Sequence, residues 1–155
     1  MTQIQFIRKL SVFVTLTMIA HAAPVHLRCE YLENPLGIDI AAPRLFWQSD
    51  NTERNWRQAA YQILVASSAD RLRKNDPDVW DSGKTNSGES IGIAYGGPKL
   101  ESGKRYYWNV RIWDDHGQQF ASAESAWWEM GLLNKADWKA KWISRNNPPA
   151  FPPAC

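Results

Sequence analysis

The chain has 155 residues, with 18 basic and 16 acidic side chains and a formal net charge of +2. Its first 22 residues contain Arg8 and Lys9 but no acidic residue, so their removal would leave a formally neutral chain of 133 residues. Such a chain offers no general positive field for a nucleic acid or an anionic membrane, and its length suffices for one domain with a buried core.

The first element predicted is an export signal at residues 1–22. Arg8 and Lys9 precede an apolar run from Leu10 to Ala20, and Ala20-His21-Ala22 places small residues where a signal peptidase cuts. The alternative is a membrane anchor, but the apolar run has eleven residues, whereas a membrane-spanning helix needs roughly 20. We therefore expect cleavage after about Ala22, a periplasmic or extracellular location, and no membrane attachment after cleavage.

Short strand patterns then recur along the chain. In order, they lie in VHLRCEYLE, PRLFWQSD, AAYQILVASS, DPDVWDSG, ESIGIAYGG, RYYWNVRIWD and SAWWEMGLL. Turn sequences such as Asn34-Pro35-Leu36-Gly37 separate them, and one short helix, capped by Ser68, is predicted over Ser68 to Asn75. Seven such strands predict an all-β fold, an antiparallel two-sheet β-sandwich of the fibronectin type III-like or immunoglobulin-like kind.

The sandwich is predicted to occupy residues 23–133. After it, NKADWKAKWIS departs from the strand pattern, and we interpret residues 134–144 as a linker and the start of another β domain. The sequence PPAFPPAC has four prolines in eight residues, which neither a helix nor a central strand tolerates. Residues 145–155 are therefore predicted to be a disordered, proline-rich tail.

Aromatic residues are abundant, with nine tryptophans, and strand alternation divides them between two faces. The predicted core consists of Leu45, Trp47, Tyr61, Ile63, Val65, Tyr106, Trp108, Val110 and Ile112. The spacing of Leu100, Gly103 and Tyr106 predicts a tyrosine corner, in which the hydroxyl turns back to the preceding backbone. Tyr107, Trp113 and one of Trp127 or Trp128 are predicted to face outward, as a surface for domain docking or for stacking on a sugar.

No catalytic, cofactor-binding or metal-binding residue is predicted. Asp76, Asp78 and Asp81 lack the spacing of an EF-hand and are interpreted as solvated turn residues. No Gly-x-Ser-x-Gly motif or phosphate-binding loop is present. Cys29 and Cys155 could pair in an exported chain, or remain as a buried residue and a frayed end.

Several blocks carry a family resemblance. LRCEYLENPLGID, PRLFWQ, QAAYQILVASS, WDSGK, YYWNVRIWD, and WWEMGLL followed by DWKAKWI resemble the N-terminal region of bacterial α-L-rhamnosidases. The resemblance runs from about Leu27 to Ile143 and implies a leading β-sandwich, with a jelly-roll-like domain beginning at DWKAKWI. It also implies inverting hydrolysis of terminal α-L-rhamnose by carboxylates of an (α/α)₆ barrel further along such enzymes. None of those catalytic positions maps onto a residue of this chain.

The chain departs from the family pattern at Arg145, so we expect it to be truncated before the catalytic domain and inactive alone. The resemblance implies an accessory domain whose partners are downstream domains of the same polypeptide, with rhamnose-containing glycans bound through the full enzyme. Two alternatives stay open. One is a carbohydrate-binding module that uses the outward rings, and the other is a free-standing adhesion or protein-interaction domain.

Overall fold

The computed structural model describes residues 22–141 and 143. The predicted signal, except Ala22, lies outside these residues, as do the proline-rich tail and Cys155, the possible partner of Cys29. The described part contains eight strands: β1 Pro24–Cys29, β2 Arg44–Ser49, β3 Gln58–Ala66, β4 Trp80–Asp81, β5 Ile93–Ala94, β6 Arg105–Asp114, β7 Gln119–Ala121 and β8 Ala126–Glu129. It also contains a short helix, α1 (Ala69–Arg73), and one 3₁₀ turn, Lys135–Asp137.

The strands form two antiparallel sheets, which confirms the predicted all-β fold. The smaller sheet has the order β1-β2-β5, and the larger has the order β4-β3-β6, with β7 and β8 both pairing with the remaining edge of β6. Eight strands are described rather than seven, because the chain turns back after Asp114 and adds β7 to β6. In that turn Asp114 Oδ1 accepts hydrogen bonds from the amides of His116 and Gln118, and Gly117 takes φ +80°.

The core lies between the sheets and is explained by strand alternation. Along β6 every second side chain, from Tyr106 to Ile112, is buried, while the intervening side chains are half-buried. Tyr106 forms the predicted corner, since its hydroxyl accepts a hydrogen bond from the Glu101 amide at 2.9 Å. Each buried aromatic removes roughly 150–250 Å² from water, so these rings supply much of the folding free energy.

The outer face of the larger sheet is partly covered by α1. Leu64 and Ala66 of β3 point away from the main core and pack with Leu72 of the helix. Ser68 caps the helix by accepting a hydrogen bond from the Arg71 amide. Consequently β3 is apolar on both faces near its end, and its burial pattern departs from simple alternation there.

The free edge of β8 is closed by residues 34–38. The Glu129 amide donates to Pro35 O and the Ile38 amide to Glu129 O, both at 2.9 Å, and the Gly131 amide donates to Ile38 O at 2.7 Å. A Cβ at residue 131 would lie 3.1 Å from the carbonyl oxygen of Gly37. This close backbone approach explains why a glycine stands at position 131.

The strand predicted in ESIGIAYGG is much shorter than expected. Only Ile93 and Ala94 pair with β2. Ile91 is exposed, whereas Tyr95 is buried in the core. The burial of these residues does not alternate, because residues 88–92 form a connection beside β2, held where the Trp47 amide donates to Ser90 O at 3.0 Å.

Candidate docking surface

The residues proposed as core all lie in the sandwich interior. Leu45, Trp47, Tyr61, Ile63, Val65, Tyr106, Trp108, Val110 and Ile112 belong to one buried cluster. Within it Trp47 packs edge-on against Tyr61, with ring centroids 5.4 Å apart, and donates from Nε1 to Gln58 Oε1 at 3.0 Å. These rings fill the space between the sheets.

Trp127 and Trp128 lie on opposite faces of β8. Trp128 is fully buried, stacks on Tyr106 and donates from Nε1 to Met130 Sδ. Trp128 therefore belongs to the core and not to the outward surface, because the pairing of Tyr106 with Trp128 aligns their side chains on the inner face. Trp127, paired with Tyr107, lies on the outer face.

Each of the outward rings, Tyr107, Trp113 and Trp127, is already covered in part. Arg105 places its guanidinium carbon 3.9 Å from the Trp127 ring centroid, and Lys84 Nζ lies 4.6 Å from that of Trp113. Tyr107 packs against the cluster beneath α1. Cations over ring faces compete with any sugar that would stack there.

These rings do not form a continuous stripe along β6. Tyr107 and Trp113 are six residues apart, which corresponds to about 20 Å in a strand. Asn109 and Arg111 occupy the same face between them. The outer face of the larger sheet is thus a mixed surface with two separate aromatic positions.

Three other exposed apolar side chains belong to the two segments that pair where the chain leaves the sandwich. Leu36 and Ile40 each lie two residues from Ile38, whose carbonyl accepts the Gly131 amide, and Leu132 follows that glycine. The side chains of Leu36, Ile40 and Leu132 are all exposed. We call these three residues the exit patch. Sequence reasoning missed it, because nothing local indicates that residues 34–38 pair beside β8.

The segment after β8 is fastened to the sandwich by Ser102. The Leu133 amide donates to Ser102 Oγ at 3.0 Å, and that hydroxyl donates to the Asp137 carboxylate. Asp137 also accepts from the Asn134 amide at 3.1 Å. The hydrogen bond from Ser102, followed by those from Asn134, lowers the pKa of Asp137. The path of the chain as far as residue 137 is therefore held by specific contacts.

The acidic residues of the 76–81 connection form hydrogen bonds and ion pairs with neighbouring residues. Asp78 accepts from Ser67 Oγ at 2.7 Å and from the Ser67 amide at 2.8 Å, and Arg71 Nη1 lies 2.5 Å from Asp76. Burial acts to raise the pKa of Asp78, but the Ser67 hydrogen bonds and the Arg71 charge outweigh it and leave that pKa lowered. Within residues 22–141 and 143, no group of three or more His, Cys, Asp or Glu side chains could hold a metal ion.

Burial raises the pKa of the Cys29 thiol to about 12. The thiol is therefore protonated at neutral pH and is not a reactive nucleophile. Across residues 22–141 and 143, no helix has the length and apolar character needed to cross a membrane.

Two antiparallel sheets, a tyrosine corner and a core of inward rings define this chain as an immunoglobulin-like β-sandwich domain. The family model for the Rha78A-like, N-terminal immunoglobulin domain matches residues 24–134. The chain therefore belongs to this family of N-terminal domains.

Curated relatives support the same placement. An α-L-rhamnosidase of Streptomyces avermitilis is 47% identical over 119 residues, which are 77% of this chain and 11% of that protein. One of Formosa agariphila is 44% identical over 116 residues, or 74% of this chain and 12% of the relative. This chain thus spans about one eighth of the length of the enzymes that it matches.

Solved structures match at the same level. The crystal structure of the Streptomyces avermitilis α-L-rhamnosidase complexed with L-rhamnose superposes with a TM-score of 0.74 at 46% identity, covering 79% of this chain and 12% of that one. The α-L-rhamnosidase of Dictyoglumus thermophilum gives a TM-score of 0.74 at 43% identity, covering 79% and 14%. The α-L-rhamnosidase of Aspergillus terreus, at 24% identity and a TM-score of 0.63, shares the fold.

Proposed function

We propose that this sandwich is the non-catalytic N-terminal accessory domain of an exported α-L-rhamnosidase. The observation that carries the proposal is the pattern of coverage: relatives match 74–82% of this chain but only 11–14% of their own length. Hydrolysis of terminal α-L-rhamnose would then be performed by a general acid and a general base of another domain, with inversion at the sugar carbon.

The side chains of the described residues fit a scaffold role. The inward-facing rings fill the core, and the carboxylates of the 76–81 connection are hydrogen-bonded to neighbouring side chains or backbone. Two carboxylates of an inverting glycosidase have to face a common substrate about 6.5–9.5 Å apart. The aspartates of this connection instead form hydrogen bonds and ion pairs within the domain.

The partner in this proposal is the next domain of the same polypeptide, and its contact is the exit patch. Ser102 holds the chain as it leaves β8, so a following domain would start from a defined position. The exposed Leu36, Ile40 and Leu132 belong to the segments that pair there, and the following domain would cover them. Export rests on the charged, apolar and small-residue order of the first 22 residues.

The catalytic part of the proposal is tested by turnover of an aryl α-L-rhamnoside. The 155-residue chain is expected to release no aryl alcohol, while the full-length Streptomyces avermitilis relative serves as the active control. Hydrolysis by the chain that disappears on substitution of a single carboxylate would contradict the proposal. Asp81→Asn and Asp115→Asn are suitable first substitutions, because both side chains lie at the surface.

A further inference from the structure

The outer face of the smaller sheet contains a hollow that has no part in the proposed scaffold role. Its floor is Phe46, which points away from the core because Leu45 and Trp47 on either side point into it. Its walls are Tyr31 and Ile91, which come from two different connections. The hollow has a volume of about 470 Å³, within the range of small-molecule sites, about 300–1,000 Å³.

The exposures of these three residues are unusual. Tyr31 is 60% exposed and Ile91 is 76% exposed, whereas Phe46 between them is only 8% exposed. The Tyr31 and Phe46 ring centroids are 4.4 Å apart, at an interplanar angle of 37°. An apolar floor with two exposed apolar walls leaves surface that a ligand would remove from water.

Tyr31 is held in place by a strained turn. The amide of Cys29 donates to Leu32 O and the amide of Leu32 donates to Cys29 O, so Glu30 and Tyr31 are the two central residues of a tight hairpin turn. Both have positive φ, at 48° and 69°. Such turns strongly prefer Asn-Gly, and residues with side chains like these pay an energetic cost there.

An ion pair between Glu30 and the half-exposed Arg44 stabilises this turn. The carboxylate of Glu30, whose side chain is 9% exposed, accepts from Arg44 Nη2 at 2.7 Å and from the Arg44 amide at 2.6 Å. The hydrogen bonds from Arg44 lower the pKa of Glu30. Non-glycine residues with strained backbone and strong local support concentrate at ligand sites, because the support fixes a side chain where it acts.

The polar groups around the hollow favour a neutral ligand. The nearby charges are already paired, Arg44 with Glu30 and Arg28 with Glu33 at 3.4 Å. The side chains of His26, Gln48 and Ser90 line the hollow and make no hydrogen bond to any residue that the structure describes. They offer donors and acceptors to hydroxyl groups, but no surplus charge to an anion.

We propose that the Phe46 hollow is a binding site for a single neutral pyranose residue. One face of a pyranose presents C–H groups, which would lie against Ile91 and the edge of the Tyr31 side chain, because the Tyr31 ring packs on Phe46 and has the Arg44 guanidinium carbon 5.3 Å from its centroid. Its rim presents hydroxyls, which would reach His26, Gln48 and Ser90. One ring contact and a few hydrogen bonds imply weak binding, with a Kd on the order of 1 mM. The inference is independent of the proposed accessory role, since it uses only the geometry of this face.

The test is a two-dimensional NMR titration of the full chain with methyl α-L-rhamnopyranoside and with D-galactose. We expect at least one sugar to cause saturable shifts at residues 31, 46 and 91. Inorganic phosphate is the charged comparison and should cause none. Absence of saturation by both sugars up to about 50 mM, which is many times the expected Kd, would overturn the proposal, and so would preferential binding of phosphate.

Two variants show whether binding occurs at this place. Tyr31→Asn removes the ring and keeps the turn, because asparagine tolerates positive φ, and Ile91→Ser removes the opposite wall. Each should weaken sugar binding at least tenfold, while Trp113→Phe on the other sheet should leave it unchanged. Unchanged binding in both hollow variants would overturn the assignment, as would a concentration-dependent dimer in which a second copy covers Tyr31.

Discussion

Trp47 and Trp108 provide a sharp test of how the core is held. Both indoles are almost completely buried, but only Trp47 has a partner for its Nε1–H, at 3.0 Å from Gln58 Oε1. Among the described residues, Trp108 Nε1 has no acceptor. Gln58 cannot simply turn its amide over, because its Nε2 donates to Ser87 O and Glu89 O.

We therefore predict that Trp47→Phe destabilises the chain more than Trp108→Phe does. The two substitutions remove the same atoms. The hydrophobic transfer free energy lost and the cost of the cavity left behind are therefore similar for both, and they cancel when the two variants are compared. Trp47→Phe also loses a hydrogen bond, about 1 kcal/mol, and leaves a part-buried acceptor unpaired. Trp108→Phe instead removes a buried donor that has no acceptor, and this removal stabilises the folded chain by about 1–3 kcal/mol. The free energies of unfolding should thus differ by about 2 kcal/mol or more.

The assay is urea unfolding of the 155-residue chain and both variants, followed by circular dichroism at constant pH and salt. The slope against urea should be the same for the three proteins, so that the midpoints report stability. If Trp108→Phe costs as much as Trp47→Phe, or more, then the assignment of hydrogen bonds in the core is wrong.

Three further predictions concern the turn, the edge and the exit. Gly131→Ala should destabilise the chain by about 1–2 kcal/mol, measured by urea unfolding, because its Cβ would press on the Gly37 carbonyl; an unchanged midpoint would contradict this. Hydrogen bonds from Arg44 lower the pKa of Glu30 in the folded chain. The stability that this ion pair contributes is therefore fully present above the ordinary glutamate pKa, and it is lost as the pH falls through the lowered pKa of Glu30. Glu30→Gln should therefore unfold more easily at neutral pH and show a weaker acid dependence in thermal melts; parallel curves for both proteins would refute it. Ser102→Ala should speed amide hydrogen exchange in residues 133–138 while leaving β6 protected, and equal rates in both proteins would exclude the proposed fastening.

The fold could be predicted because its strongest signals are local. The ten residues of β6 alternate without interruption, and the spacing from Leu100 to Tyr106 indicates the tyrosine corner within one stretch of sequence. The capped helix after β3 is equally local. Such signals do not depend on which strand lies beside which.

The surfaces could not be predicted in the same way, because they depend on pairing between distant segments. The adjacent Trp127 and Trp128 have the same local pattern, and only the register with β6 decides that Trp128 is buried. Phe46 is covered by two connections that lie far apart in sequence. β7 was missed because Gln119–Ala121 is short and contains one large apolar residue.

The central claim is that this sandwich is a scaffold that docks on a following domain through its exit patch. The most direct measurement is the melting temperature of a chimaera, in which residues 24–134 replace the matching region of the Streptomyces avermitilis α-L-rhamnosidase. Leu36→Asp with Leu132→Asp should lower the melting temperature of the chimaera by several degrees and that of the isolated chain hardly at all. Ile91→Asp, at a more exposed position beside the smaller sheet, should change neither protein. Equal melting temperatures for the chimaera with and without the exit-patch substitutions would contradict the account.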